Sequence, residues 1–347
     1  MQVVTGIIYH FIGGFASGSF YLPLKKIEGW SWETGWIING FFAWIAVPLI
    51  AAMLTVPNFL HLISETHYSL LFPVTTMGLL WGIGGLTFGL AIRYLGMALG
   101  MSIVLGFCSA FGSLMPAIYR EFFSSEGIRF SDLVNLTGGR WILMGIALCL
   151  SGISFCGRAG IFREAVAKND NKNRLVVWKG LLIAGASGIL SACFNFGIET
   201  GKPLAKLALE QGTNSLFQNN ITFVVLLWGG FTTNFIYCLF RNIRNKSFKD
   251  YTNSNQPLKR NYTLAALAGT VWFLQFFFYG MGESKLGNGA GSWILHMSFI
   301  ILVSNGWGVV LQEWKDSDKK TIAIFATGLI LILSSVVLVG YGSLLLN

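Results

Sequence analysis

The chain has 347 residues, 54% of them hydrophobic and only 11% charged, against about a quarter charged in ordinary soluble proteins. That composition excludes a soluble globular domain. The formal net charge of +9 would suggest nucleic acid in a soluble chain; in an apolar one it reports loop orientation, and no nucleic-acid partner is expected.

Ten apolar stretches free of Asp, Glu, Lys and Arg run at roughly 5–24, 34–57, 69–92, 95–118, 141–157, 180–198, 213–240, 261–282, 286–311 and 321–346. A stretch of about 20 such residues crosses the hydrocarbon core as a helix, because only a helix satisfies its own backbone there. The predicted fold class is an all-α polytopic membrane protein with ten transmembrane helices and the lipid bilayer as its surroundings. Almost nothing remains for a soluble domain.

Taken in order, the first stretch lacks a basic n-region and carries His10, so it reads as a span and not as a cleavable leader. His10 lies roughly 8–9 Å into it at 1.5 Å per residue. Lys25, Lys26 and Glu33 follow, with Trp30, Trp32 and Trp36 clustered at the same interface. Those tryptophans suit either an interfacial belt or a sugar-binding face. The loop after the second stretch holds His61, Glu65 and His67, a spacing that fits no common zinc motif. No metal, cofactor or enzymatic centre is expected.

Arg93 sits in the short turn between the third and fourth stretches. The basic linker 158–179 is the natural seam of the chain, dividing it into 1–168 and 169–347. Glu199 and Lys202 end the sixth stretch. Trp272, Gln275, Tyr279, Trp293 and His296 fall in the eighth and ninth, with His296 roughly 15 Å into its span. Gln275 and Tyr279, four residues apart, share one helix face. The five cysteines have no CxxC spacing and read as packing residues.

Loops after odd-numbered spans hold eighteen of the basic residues and loops after even-numbered spans hold six. Basic loops favour the cytoplasm, so the odd loops are expected inside and both termini in the periplasm. Offset by 191, residues 81–103 align with 272–294, placing Trp81 on Trp272, Gly89 on Gly280 and Ile103 on Ile294. Offset by 174, residues 6–20 align with 180–194. Five spans per repeat is an odd number, so the two copies are inverted, as in carriers whose halves rock around a central site. The pairs Gly14/Gly18, Gly85/Gly89 and Gly96/Gly100 mark close helix packing within the bundle.

Ionisable groups inside a membrane are functional candidates by default, and His titrates near physiological pH. Proton coupling is therefore expected from His10 and His296, with Glu33 at the span edge as a third candidate. An aromatic face for a sugar's C–H groups and amides for its hydroxyls point to Gln275, Tyr279, Trp293 and Trp32, with Arg93 over the cavity.

Six strings carry a family resemblance: KK-x3-WSWET-x-W (25–36), RYLGM (93–97), TGGR (137–140), GKP (201–203), LQFFFY (274–279) and SW-x-LHMSF (292–299). Across about residues 6–340 the chain resembles the bacterial L-rhamnose/proton symporter family, a branch of the drug/metabolite transporter superfamily. The resemblance implies proton-driven import of a 6-deoxyhexose, most simply L-rhamnose, across the bacterial inner membrane. His10, Glu33, Arg93, Gln275 and His296 match the family's pattern; Glu199, Glu283 and Gly287–Gly291 depart from it. The alternatives are another coupling cation, or a carrier of the same superfamily for a different sugar or metabolite, run as an exporter or exchanger.

Overall fold

The computed structural model describes residues 1–95, 97–123, 127–167, 174–312, 314–315 and 317–346. Among these residues, ten helices are long and apolar enough to cross a membrane. They are α1 (Gln2–Leu24), α2 (Trp32–Thr55), α3 (Tyr68–Leu95), α4 (Gly100–Phe123), α5 (Thr137–Arg163), α6 (Trp178–Glu210), α7 (Ser215–Asn245), α8 (Leu258–Leu286), α9 (Gly289–Val310) and α10 (Lys319–Leu346). Each overlaps one of the ten charge-free stretches over most of its length, and no strand occurs among the described residues. The boundary expected between 168 and 169 lies outside the described residues, as does Gly96.

Glycines let the helices approach. A Cβ at Gly13 of α1 would stand 2.7 Å from the Gln275 carbonyl oxygen of α8, so α1 lies directly on the backbone of the helix that carries Gln275. Gly14 and Gly18 face Phe299 and Val303 of α9. Gly78 and Gly82 of α3 abut α7 in the same way, and Gly84 meets Ser191 of α6. Without a hydrophobic drive between helices in lipid, such close packing is a main source of cohesion. Gly85 and Gly89, by contrast, have nothing within 4 Å of a built Cβ. Leu182, Val337 and Ile330 point outward from the bundle, as lipid-facing side chains do.

Two local devices position the centre. In α2, Pro48 lacks an N–H and its ring clashes with the carbonyl four residues back, at Trp44. The backbone responds with a π-turn over Phe42–Ala46, and Trp44 at its middle is 3% exposed. Between α8 and α9, Gly287 adopts φ +67°, and its N–H bonds the Glu283 carbonyl at 2.9 Å. Asn288 then caps α9, its side chain accepting from Gly291 N–H at 2.6 Å. This two-residue reversal sets α8 and α9 side by side.

Candidate functional site

A chamber of about 550 Å³ opens between the packed helices, lined chiefly from α3, α4, α5 and α9, with three residues of α8. Small-molecule sites span about 300–1,000 Å³. Its walls are aromatic. Trp44 stands edge-on to Trp81 and Trp272, with centroids 5.8 and 5.6 Å away, and Trp81 and Trp272 are 5.7 Å apart. Phe194 and Phe276 stack at 3.9 Å beside them.

A few polar groups break this surface. The Gln275 amide lines the chamber and donates to the Trp272 carbonyl at 2.9 Å. Asn234 accepts from the Trp36 indole at 3.3 Å and donates to the Gly230 carbonyl at 3.0 Å. Trp293 spends its indole N–H on the Cys108 carbonyl at 3.1 Å, leaving its ring against the chamber. His296 forms part of the wall. Among the described residues the lining holds one charged side chain, Arg163, whose guanidinium lies 4.7 Å over the Trp314 ring. Arg163 and Trp314 mark the end of the chamber that reaches toward the loops after odd-numbered spans.

His10 lies behind His296, with ring centroids 6.2 Å apart, and both rings meet Tyr279 at 5.2 Å. All four imidazole nitrogens are buried without a hydrogen-bond partner. Tyr279 is fully buried and does not line the chamber. Its hydroxyl donates to Asn195 Oδ1 at 2.9 Å, and Asn195 donates to the Gly112 carbonyl at 2.7 Å.

Of the residues expected from sequence, the fold brings His10, His296, Gln275, Tyr279 and Trp293 together. It does not bring the other three. Glu33 is 2% exposed and accepts from Asn245 Nδ2 at 2.8 Å and Ser247 Oγ at 2.9 Å, which ties α2 to the end of α7. Trp32 is half exposed and stacks at 5.3 Å on the outer side of Trp36, one layer removed from the chamber. The sequence pattern puts Arg93 in a turn over the cavity. Instead α3 stays helical through Leu95, so Arg93 is an exposed residue of its last turn and lines no part of the chamber.

Trp44, Trp81, Asn195 and Asn234 belong to the site as well, beyond the residues expected from sequence. Pro48 four residues on signals Trp44, and the repeat alignment already pairs Trp81 with Trp272. Asn195 and Asn234 are midspan amides, open to the argument that singled out Gln275. Among the described residues no group of three His, Cys, Asp or Glu side chains is placed to hold a metal ion.

The family described as L-rhamnose-proton symport protein matches residues 1–344. The chain is 35% identical over 345 residues to the L-rhamnose-proton symporter of Yersinia pestis (strain Pestoides F), covering 98% of each chain. Identity and coverage are the same for the L-rhamnose-proton symporter of Yersinia pseudotuberculosis serotype O:1b (strain IP 31758). A solved crystal structure shares the fold at a TM-score of 0.53, with 14% identity over 96% of both chains.

Proposed function

The chain belongs to the L-rhamnose-proton symport family, and we propose that it imports L-rhamnose together with protons across the bacterial inner membrane. The observation that carries this reading is the chamber, where the Gln275 amide and the His296 imidazole stand among indole faces. A pyranose presents C–H groups on its faces and hydroxyls at its rim. Indole faces suit the first, and an amide suits the second. A 6-deoxy sugar ends in a methyl group where other hexoses carry a hydroxyl, and an apolar aromatic wall accepts a methyl without leaving a polar atom unpaired.

His296 is the coupling group in this reading, since it is the imidazole that shares the chamber with the sugar. His10 stands behind it as the second member of the pair. No carboxylate lines the chamber among the described residues, so a second proton on the pair, whose rings are 6.2 Å apart, would face the first without a counter-charge from the wall. Glu33 serves as a structural tie, and Gln275 and Trp293 as sugar contacts. Tyr279 braces the wall through Asn195.

The basic loops lie in the cytoplasm and both termini in the periplasm, so the chamber reaches inward. The two halves, 1–168 and 169–347, rock around it. Trp81 and Trp272, paired by the repeat alignment and in contact at the chamber, support that axis.

Counterflow tests the substrate. Proteoliposomes loaded with unlabelled L-rhamnose should accumulate labelled L-rhamnose transiently, and L-fucose or D-xylose loading should drive it less. Faster exchange with another sugar would reassign the cargo. No exchange with any of the three would remove the sugar reading.

A further inference from the structure

At the end of the bundle opposite Arg163 and Trp314, four charges from three helices meet. Arg120 of α4 pairs with Glu199 of α6. Lys202 Nζ, on the same helix as Glu199, is 2.9 Å from Glu199 Oε2 and 3.9 Å from Glu283 Oε1 of α8. Asn219 of α7 donates to Glu283 Oε2 at 2.8 Å. The Arg120, Glu199 and Glu283 side chains are 9%, 8% and 7% exposed. Two cations face two carboxylates, so the cluster is neutral.

Beneath it lies a second layer from the same helices. Tyr279 of α8 donates to Asn195 of α6, which donates to the Gly112 carbonyl of α4. The order along each helix repeats. On α4 the chamber lining ends at Cys108, then come Ser109, Ser113 and the cluster at Arg120. On α9 Gly289 abuts Glu199, then come Ser292 and the chamber wall at Trp293. The hydroxyls of Ser109, Ser113 and Ser292 are buried without a hydrogen-bond partner, like both histidines.

Buried ion pairs regain little over their desolvation cost, and they regain hydration when both partners reach water together. Buried hydroxyls without partners carry a penalty that water would remove. Both features favour a second arrangement in which this end is wet. We propose that Arg120, Glu199, Lys202 and Glu283 form the charge latch of the carrier's second gate. Ser109, Ser113 and Ser292 line the passage that opens beneath it. The latch is closed while the chamber reaches the opposite face, and its parting gives sugar and proton access to the histidines from this one. The inference rests on the reading of the chain as an alternating-access carrier, not on which sugar it carries.

Thiol labelling tests it without any transport assay. Ser113→Cys is placed in the protein and purified into lipid nanodiscs, where a charged methanethiosulfonate reaches both faces, with the parent protein giving the background. Labelling should be slow, and at least fivefold faster when Glu199→Gln is added. The charge swap Arg120→Glu with Glu199→Arg should return it to the slow rate. An unchanged rate in Glu199→Gln, or a fast rate in the swap, would overturn the latch. If Glu199→Gln does not elute as a single species on size exclusion, Glu283→Gln takes its place with the same two outcomes. No sugar is present, so the latch can fail while counterflow succeeds, or the reverse.

Discussion

His10 on α1 and His296 on α9 stand with ring centroids 6.2 Å apart, and none of their four nitrogens meets a hydrogen-bond partner. An unsatisfied buried polar group costs about 1–3 kcal/mol. A phenylalanine or leucine at either position would pack without that penalty. Two such groups side by side, one of them on the chamber wall, are poor choices for stability and good ones for binding a proton that comes and goes.

His296→Asn should therefore uncouple transport. Exchange of labelled L-rhamnose should persist in counterflow, because it needs no net proton movement, while accumulation against a gradient should fall to equilibrium. His10→Asn, one step from the chamber, should leave partial accumulation. Full accumulation in both variants would remove histidine from the mechanism and return Glu33 to consideration.

Gln275→Leu should weaken sugar binding. A hydrogen bond to a neutral ligand contributes roughly 0.5–1.5 kcal/mol, so the dissociation constant by isothermal titration in detergent should rise about 2- to 13-fold. Unchanged affinity with a lowered yield would make the amide an interhelical tie instead.

Gly13→Ala should separate α1 from α8. The added carbon would stand 2.7 Å from the Gln275 carbonyl oxygen, which is backbone and cannot step aside. Overpacking of this kind costs about 1–3 kcal/mol, read as a lowered Tm in detergent. Gly89→Ala is the control. Open space surrounds that position, and exchanging Gly for Ala in a helix should hold or raise Tm. Equal losses in the two would mean that α1 does not depend on this contact.

The ten spans were legible because charge is excluded from lipid, and a chain must then bunch its charges between spans. Part of the chamber was legible too. The repeat alignment set Trp81 on Trp272, and the two rings meet there. Contacts between distant helices were not. Nothing local brings His10 to His296, or Arg120 to Glu199, since each pair joins two helices that are distant in sequence and meet only in the packed bundle. Shared helix faces also misled in detail. Gln275 and Tyr279 are four residues apart and about 40° apart around α8, enough for one to face the chamber and the other Asn195.

Orientation has its own test. A cysteine at Ser254, in the basic loop after α7, should resist an impermeant thiol reagent in intact cells. One at Ser215, at the start of α7, should react. The reverse pattern would invert the topology and leave the ten spans standing.

The most direct measurement is of the proton itself. In lightly buffered proteoliposomes without an imposed gradient, external L-rhamnose should drive sugar inward and alkalinise the outside medium, in fixed proportion to the sugar taken up. His296→Asn should abolish the alkalinisation. Sugar uptake with no proton movement in the unaltered protein, or proton movement untouched in His296→Asn, would contradict coupling at the histidine pair.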